Sequence, residues 1–175
     1  MKREFSAGGI VYKKAQSEKR KPSSRAQVEG AQNTEILWLI RRPKGGKGYR
    51  GSLGWTFPKG WIENKLKAKS AKRKANERES PEESALREVA EEGGIKAKII
   101  KKLPTLKVFF TDEDNQKVMK FITYFVMEWL EDLKEGFGWE TEEIRWVSKD
   151  EAMGLLVYKN ERELLKQAAE GLTGT

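Results

Sequence analysis

The chain has 175 residues with a formal net charge of +8, and it contains neither cysteine nor histidine. These absences exclude disulfide bonds, thiolate or imidazole metal sites, and nucleophilic catalysis through a Ser-His or Cys-His pair. Any metal must be bound through oxygen atoms, so magnesium is the expected ion and manganese the alternative. The charge favours an anionic partner such as a nucleotide, a polyphosphate or RNA, although it also serves solubility.

The length predicts a single domain covering residues 1–175. The longest apolar run, Phe121 to Met127, is too short to cross a membrane. The first residues lack the apolar core of a signal peptide. We therefore expect a cytoplasmic protein with no membrane partner.

The first third of the chain predicts two strands joined by a long polar segment. Phe5 to Tyr12 is the first strand, and its central pair of glycines indicates close approach of a ligand or another backbone. Residues 13–34 are rich in Lys, Arg, Ser and Gln, which predicts a flexible loop. Glu35 to Arg42 is the second strand. The glycine-rich basic stretch from Pro43 to Gly51 is either a mobile connector or a rim that contacts phosphates.

A short acidic helix is predicted between Glu79 and Ile95. Its start is a capping box with proline at the first helical position, formed by Ser80, Pro81 and Glu83, and a pair of glycines ends it. Three carboxylates share one helical face because their spacing is i, i+3 and i+4: Glu88, Glu91 and Glu92. Like charges at this spacing repel, so the face is either simply solvated or neutralised by a cation.

The same stretch resembles the Nudix box. Its pattern of charged, aliphatic and glycine residues is carried by Glu79, Arg87-Glu88, Glu91-Glu92, Gly94 and Ile95. The full box begins with a glycine shortly before its first glutamate. Gly60 resembles that glycine, although about thirteen additional residues separate it from Glu79. The resemblance implies that these residues loop out and leave Gly60 and Glu79 close together.

The additional residues, about 65–78 within the box loop, carry seven basic side chains against one acidic side chain. They are either a solvated excursion or an arm that attracts polyphosphate or RNA. RNA is therefore a candidate partner of this segment.

The remainder of the chain predicts strands followed by helices. The predicted strands are Trp55 to Gly60, Lys96 to Leu103, Thr105 to Thr111, Val118 to Trp129 and Ile144 to Val147. The predicted helices run from about Asp150 to Leu156 and from Asn160 to Glu170. This order resembles the Nudix α/β/α sandwich, an α/β fold with a mixed β-sheet between helices.

The resemblance implies a pyrophosphohydrolase with a carboxylate-bound divalent ion. The implied metal ligands are Glu88, Glu91 and Glu92, supported by Glu79, by the Gly60 backbone and by a further carboxylate, Glu140, with Glu142 and Glu143 as rivals. The implied catalytic residues are the same three box glutamates, Glu140, and Arg87, which orients the glutamates.

The substrate is suggested by a narrower resemblance. The segment Trp55-Thr-Phe-Pro-Lys-Gly60, Lys120-Phe-Ile-Thr-Tyr124 and the C-terminal stretch resemble the asymmetrical diadenosine tetraphosphate hydrolase branch. The candidate substrate-binding residues are Arg41, Lys59, Lys120, Tyr124, Trp139 and Tyr158. For Tyr124, a role in the core is the alternative.

Other functions stay open at this point. The substrate could instead be an oxidised nucleoside triphosphate, a 5′-triphosphorylated RNA or a diphosphoinositol. A non-catalytic nucleotide- or RNA-binding domain is a further alternative, although such domains usually lose box glutamates and this chain keeps all of them.

Overall fold

The computed structural model describes residues 1–16, 34–47, 49, 51–63 and 78–173. Within these residues, the strands are β1 (Lys2–Gln16), β2 (Thr34–Pro43), β3 (Lys59–Trp61), β4 (Ile95–Lys102), β5 (Leu106–Thr111), β6 (Lys117–Asp132) and β7 (Thr141–Val147). The helices are α1 (Pro81–Gly93), α2 (Lys149–Leu155) and α3 (Lys159–Thr173). No helix in these ranges is both long and apolar enough to cross a membrane.

The strands form one mixed sheet with the order β4-β6-β1-β2-β7, in which β3 also pairs with β1 and β5 with β6. β1 and β6 are parallel, and the other pairs are antiparallel. β1 therefore lies at the centre, where it aligns β3 with the rest of the sheet. β5 and β6, which cover the predicted strands Thr105 to Thr111 and Val118 to Trp129, pair as an antiparallel hairpin.

Helices cover both faces of the sheet. On one face, Val89 of α1 packs with Phe125 and Met127 of β6. On the other face, Leu164 and Leu165 of α3 pack with buried side chains of the sheet and form a second hydrophobic cluster. Each fully buried large apolar side chain contributes about 1.5–3 kcal/mol to folding. The predicted α/β/α sandwich is confirmed.

The two glycines of β1 allow the site to assemble closely around that strand. A Cβ on Gly8 would collide with the carbonyl oxygen of Pro58, and a Cβ on Gly9 would collide with the side chain of Val89. The Gly9 N–H donates a hydrogen bond to the Pro58 carbonyl at 3.1 Å. The segment that leads into β3 and helix α1 can therefore both lie directly on β1.

Several predicted boundaries were wrong by a few residues. β1 continues to Gln16, because residues 12–16 pair with β2, so the predicted loop cannot begin at Lys13. The rest of that loop, residues 17–33, lies outside the described part of the chain. β7 begins at Thr141 rather than Ile144 because Thr141 already pairs with Pro43, the last residue of β2. Helix α3 begins at Lys159, one residue before the predicted start at Asn160, and continues to Thr173, three residues beyond Glu170.

Candidate active site

Helix α1 is defined by its own sequence at both ends. Ser80 accepts a hydrogen bond from the Glu83 N–H, and the Glu83 side chain accepts one from the Ser80 N–H. Gly94 ends the helix in the left-handed conformation, with φ of 67°. The turn spacing then puts Glu88 and Glu92 on the buried side of the helix, whereas the Glu91 side chain is 59% exposed.

β3 and α1 are in direct contact at Gly60, the glycine that precedes the insertion. Gly60 pairs with Ala7 of β1, and a Cβ on Gly60 would overlap the carboxylate of Glu88. The Trp61 carbonyl accepts hydrogen bonds from Ser84 Oγ at 3.3 Å and Arg87 Nη2 at 3.0 Å. Only a residue without a side chain lets the Glu88 carboxylate lie against this strand.

The residues on either side of the insertion lie next to each other. The Glu63 N–H donates to Glu79 Oε2 at 3.1 Å, and the Glu79 N–H donates to the Glu63 carbonyl at 2.9 Å. The predicted closeness of the Gly60 segment and Glu79 is therefore present. Residues 64–77, which include nearly all of the predicted basic insertion, lie outside the described residues.

Arg87 holds three of the box glutamates. Its guanidinium contacts both oxygens of Glu79, from Nε at 2.8 Å and Nη2 at 3.0 Å. Its Nη1 contacts Glu88 at 2.8 Å and Glu91 at 3.1 Å. The hydrogen bond to Arg87 is the main cause of a lowered pKa at Glu79. A planar guanidinium suits this role because it donates in several fixed directions at once.

Glu92 has a separate set of partners. Its carboxylate is contacted by Arg41 Nη2 at 3.1 Å and by the Lys59 N–H at 2.9 Å. Arg41 is buried and also donates to Thr141 Oγ1 and to the Glu140 carbonyl, each at 3.0 Å. Arg41 lines the cavity described below, but its guanidinium is engaged by Glu92.

Two carboxylates of the box resist ionisation. Burial raises the pKa of Glu88 to about 7, and the charge of Glu92 adds to this effect. Burial also raises the pKa of Glu92 to about 7, against the opposing effect of Arg41. A nearby cation would favour the charged forms of both carboxylates. The two groups are therefore suited to binding a positive charge.

The donor set fits a hard divalent ion in its chemistry. In the described ranges no three acidic side chains converge closely enough to hold a metal ion, because Arg87 engages Glu88 and Glu91 while Arg41 engages Glu92. The oxygen donors, their burial and their mutual repulsion nevertheless match what magnesium or manganese requires. Binding would require Arg87 to share these carboxylates with the ion.

Two cavities meet at this cluster. The main cavity, of about 760 Å³, is lined by Glu88, Glu91 and Glu92 and by basic residues that include Lys59 and Lys120. The side cavity, of about 550 Å³, lies between the end of α1 and the loop from Leu133 to Glu140. Both volumes are in the range of small-ligand sites.

Five of the six predicted substrate-binding residues line the main cavity, and four of them join Arg41 there. They are Lys59, Lys120, Trp139 and Tyr158. The ammonium of Lys59 lies 5.0 Å from the centre of the Tyr158 ring, and that of Lys120 lies 4.8 Å from a ring centre of Trp61. Burial lowers the pKa of Lys120. These side chains form a cationic and aromatic wall of the cavity that the carboxylates also line.

Tyr124 does not belong to that wall. Its ring is fully buried in the core, and its hydroxyl donates to Glu161 Oε1 at 2.5 Å. Stacking on a base requires an accessible ring face, which Tyr124 lacks in this structure. The alternative role, a core aromatic, describes its position.

The three acidic residues of the 140–143 segment differ in their surroundings. Glu140 lines both cavities, and its charge contributes to the raised pKa of Glu92. Glu142 lies 3.4 Å from Arg42, and Glu143 lies 3.1 Å from Arg42 and 2.8 Å from Arg145. The structure therefore brings Glu140, rather than its rivals, to the carboxylate cluster.

Sequence reasoning missed Glu161. This buried carboxylate from α3 accepts hydrogen bonds at Oε1 from Thr56 at 2.7 Å, Lys59 at 2.8 Å and Tyr124. In the sequence it is an acidic residue in the first turn of a polar helix start, and no local signal separates it from the exposed Glu163 two positions later.

Comparisons with known proteins agree with this geometry. A model of the NUDIX domain matches residues 20–168. The candidate mutator protein MutT4 of Mycobacterium tuberculosis (strain CDC 1551 / Oshkosh) is 29% identical over 167 residues, which are 95% of this chain and 55% of that protein. The chain thus spans about half the length of this curated relative.

Solved structures show the same fold. A C. elegans Ap4A hydrolase, in a binary complex, gives a TM-score of 0.58 at 17% identity and covers 98% of this chain and 99% of its own. The NUDIX domain of Shewanella oneidensis NrtR, complexed with ADP ribose, gives 0.62 at 14% identity, with 99% and 90% covered. Such identities concern the fold alone. Because the family model matches most of the residues, the chain belongs to the NUDIX domain family.

Proposed function

We propose that the protein is a divalent-metal-dependent hydrolase of phosphoric anhydride bonds. The observation that carries this proposal is the pair of buried carboxylates, Glu88 and Glu92, with pKa values raised to about 7, beside a cavity that Lys59 and Lys120 also line. The carboxylates suit a cation, and the lysines suit phosphate oxygens. A nucleotide polyphosphate satisfies both.

Glu88, Glu91 and Glu92 would hold the ion, with Glu140 and the Gly60 carbonyl as further oxygen donors. When bound, magnesium or manganese would neutralise phosphate oxygens and lower the pKa of a coordinated water. Arg87 keeps the box carboxylates oriented, and Lys59 and Lys120 bind the phosphate chain. Water forms a bond to one phosphorus, the bond from that phosphorus to the bridging oxygen breaks, and a cluster carboxylate accepts the proton.

The proposed substrate is a dinucleoside polyphosphate such as diadenosine tetraphosphate. Two features support this substrate. The motif from Trp55 to Gly60 contains Lys59, which lines the main cavity. One of the structural neighbours is an Ap4A hydrolase. The products would be ATP and AMP.

Chromatography of products from purified protein, magnesium and a substrate panel tests the assignment. ATP plus AMP from diadenosine tetraphosphate is the expected result. Preferred turnover of an oxidised nucleoside triphosphate, a 5′-triphosphorylated RNA or a diphosphoinositol would replace the substrate but keep the reaction class. No turnover of any of them would support a non-catalytic nucleotide- or RNA-binding domain instead.

A matched pair of variants tests the metal site. Glu91→Gln combined with Glu92→Gln should abolish turnover while circular dichroism and thermal unfolding report a folded protein. Glu82→Gln is the control, because Glu82 is exposed in the first turn of the same helix. Full activity in the double variant would remove the carboxylate argument.

RNA binding is assigned to the basic insertion on charge alone. Deleting residues 65–78 should weaken the binding or turnover of a 5′-triphosphorylated RNA and reduce its dependence on salt concentration. The same deletion should leave diadenosine tetraphosphate turnover within about twofold. An unchanged salt dependence would show that the insertion does not contact RNA.

A further inference from the structure

The two cavities share one wall but differ in charge. Their common residues are Glu91, Glu92, Trp139 and Glu140. The box carboxylates therefore stand at the junction of two separate spaces. A substrate whose reacting bond lies at these carboxylates can extend into both.

Cationic side chains are confined to the main cavity. Five basic residues line it, namely Arg41, Lys47, Lys59, Arg87 and Lys120. None of the described residues that line the side cavity is basic, and four of them are glutamates, including Glu135. A phosphate chain would be repelled from the side cavity, so the occupant of that space must be the uncharged part of a substrate.

The side cavity also offers apolar and aromatic surface. Phe137 is 38% exposed and Trp139 is 79% exposed, and Ala90 and Leu133 complete this surface. Aromatic side chains stack on nucleobases with little selectivity among bases. Carboxylates accept hydrogen bonds from base amino groups and from ribose hydroxyls. This combination matches a nucleoside.

The loop that closes the side cavity is fastened to helix α1. The Gly138 N–H donates to the Glu91 carbonyl at 2.6 Å, and the Leu133 N–H donates to the Gly94 carbonyl at 2.9 Å. These backbone bonds join the loop to the same helix that carries the box carboxylates. The cavity is therefore a preformed space at a fixed distance from the reaction centre.

We propose that the side cavity binds the nucleoside that leaves as the nucleoside monophosphate. The main cavity then holds the longer phosphate chain and the other nucleoside, because that part of the substrate carries more negative charge. This inference rests on the proposed function, since it takes a dinucleoside polyphosphate as substrate. In this arrangement, the difference in charge between the two cavities is the cause of the asymmetric cleavage.

Two substrates that differ only in their nucleosides test the assignment. Diadenosine tetraphosphate and inorganic tetraphosphate share the same phosphate chain, but the second has no nucleoside to place in the side cavity. Wild-type protein should prefer the first in kcat/KM by roughly tenfold or more. Phe137→Ala, which removes an aromatic side chain that lines the side cavity alone, should reduce that preference roughly tenfold.

A filling variant and a matched control complete the experiment. Ala90→Leu narrows the side cavity from the helix and should also reduce the preference. Phe110→Ala removes a phenylalanine of similar exposure, 40%, which lines neither cavity, and should leave the preference unchanged. An unaltered preference in both cavity variants would overturn the inference while wild-type hydrolysis leaves the proposed function standing.

A binding experiment separates the two claims if wild-type protein cleaves neither compound, an outcome that would rule out the proposed dinucleoside polyphosphate substrate. Adenosine, which has no phosphate, is titrated calorimetrically into wild-type protein, Phe137→Ala and Phe110→Ala. Weaker binding in Phe137→Ala alone supports a nucleoside site in the side cavity. Equal affinity for all three proteins, or no binding to any of them, overturns it.

Discussion

The ammonium of Lys59 lies 2.8 Å from Oε1 of Glu161, a carboxylate that reaches it from the last helix. The other oxygen of Glu161 is buried and has no hydrogen-bond partner among the described residues. The Lys59 N–H donates to Glu92 at 2.9 Å. One residue thus links a box carboxylate to the C-terminal helix, and its side chain is held in place within the main cavity.

Glu161→Gln should loosen Lys59 without emptying the space that Glu161 fills. The amide oxygen can still accept hydrogen bonds from Thr56 and Tyr124, but without the negative charge it attracts the Lys59 ammonium less strongly. We expect KM for the polyphosphate substrate to rise by about tenfold, equivalent to about 1.4 kcal/mol, with a smaller change in kcat. Steady-state kinetics on the purified variant measures this split.

Glu163→Gln is the matched control, because Glu163 is exposed two residues away and pairs with Lys166 on the helix surface. It should leave KM unchanged. If Glu161→Gln behaves like this control, Glu161 does not position Lys59. If it lowers only the thermal unfolding midpoint, Glu161 acts on stability alone.

Gly60→Ala should damage activity far more than folding. The added methyl group would overlap the Glu88 carboxylate, so Glu88 must move away from β3 and its contact with Arg87. Glu88 is a proposed metal ligand, and because a misplacement of about 1 Å in an active site commonly costs about a hundredfold in rate, we expect a kcat loss of that order. The free energy of unfolding should fall by only about 1–3 kcal/mol, the usual range for overpacking.

Gly154→Ala provides the comparison in helix α2, where an added Cβ meets nothing within 4 Å. It should leave kcat unchanged, and alanine in a helix interior is expected to stabilise slightly. Unimpaired turnover in Gly60→Ala, with magnesium saturating, would show that the contact between Gly60 and Glu88 is dispensable.

The box helix was predictable because its ends depend on neighbouring residues. Ser80, Pro81 and Glu83 set its start, Gly94 its end, and helical spacing alone grouped the glutamates. The same holds for the close approach at the glycines of β1, which the strand pattern indicated. These features need no knowledge of the tertiary structure.

The remaining site features depend on residues distant in the chain. Arg41 carries no sign of its pairing with Glu92, 51 positions later, which turns a candidate phosphate contact into a partner of a carboxylate. Glu161 and Tyr124 meet only because α3 packs beneath β6. A buried acid and an exposed one look alike until the fold decides which surface each faces.

Glu140→Gln should lower kcat by roughly ten- to a hundredfold, the range of a general acid–base contribution or less. Its carboxylate lines both cavities and acts electrostatically on Glu92. The variant keeps the Glu140 backbone carbonyl, which accepts from Arg41 and Lys44. Rate measurements across magnesium concentrations would show whether the loss lies in ion affinity or in turnover.

Glu142→Gln tests the rival assignment in the same segment. Because Glu142 contacts Arg42 at the surface of the sheet edge, its loss should change kcat by less than about twofold, as exposed ion pairs contribute little. A larger effect at Glu142 than at Glu140 would reverse the assignment.

Glu88 and Glu92 should make the metal-free protein less stable as pH rises. Burial raises both pKa values from 4.5 to about 7. Each group therefore contributes stability that is present below about pH 4.5 and is lost as pH rises through about 7. In EDTA, we expect the free energy of unfolding to fall by about 5 kcal/mol between pH 5 and pH 8, about half of it from each group. Urea unfolding at each pH measures it.

Two changes should flatten that pH profile for the same electrostatic reason. Glu88→Gln removes one of the two titrating groups and should roughly halve the fall. Saturating magnesium favours the charged carboxylates, lowers their pKa values, and should reverse most of the loss at pH 8. Glu82→Gln removes an exposed carboxylate from the same helix and should leave the profile as in the wild type. A free energy of unfolding that does not fall between pH 5 and pH 8 in EDTA would show that the pKa values of Glu88 and Glu92 are not raised, and that a bound cation is not needed to balance the two carboxylates.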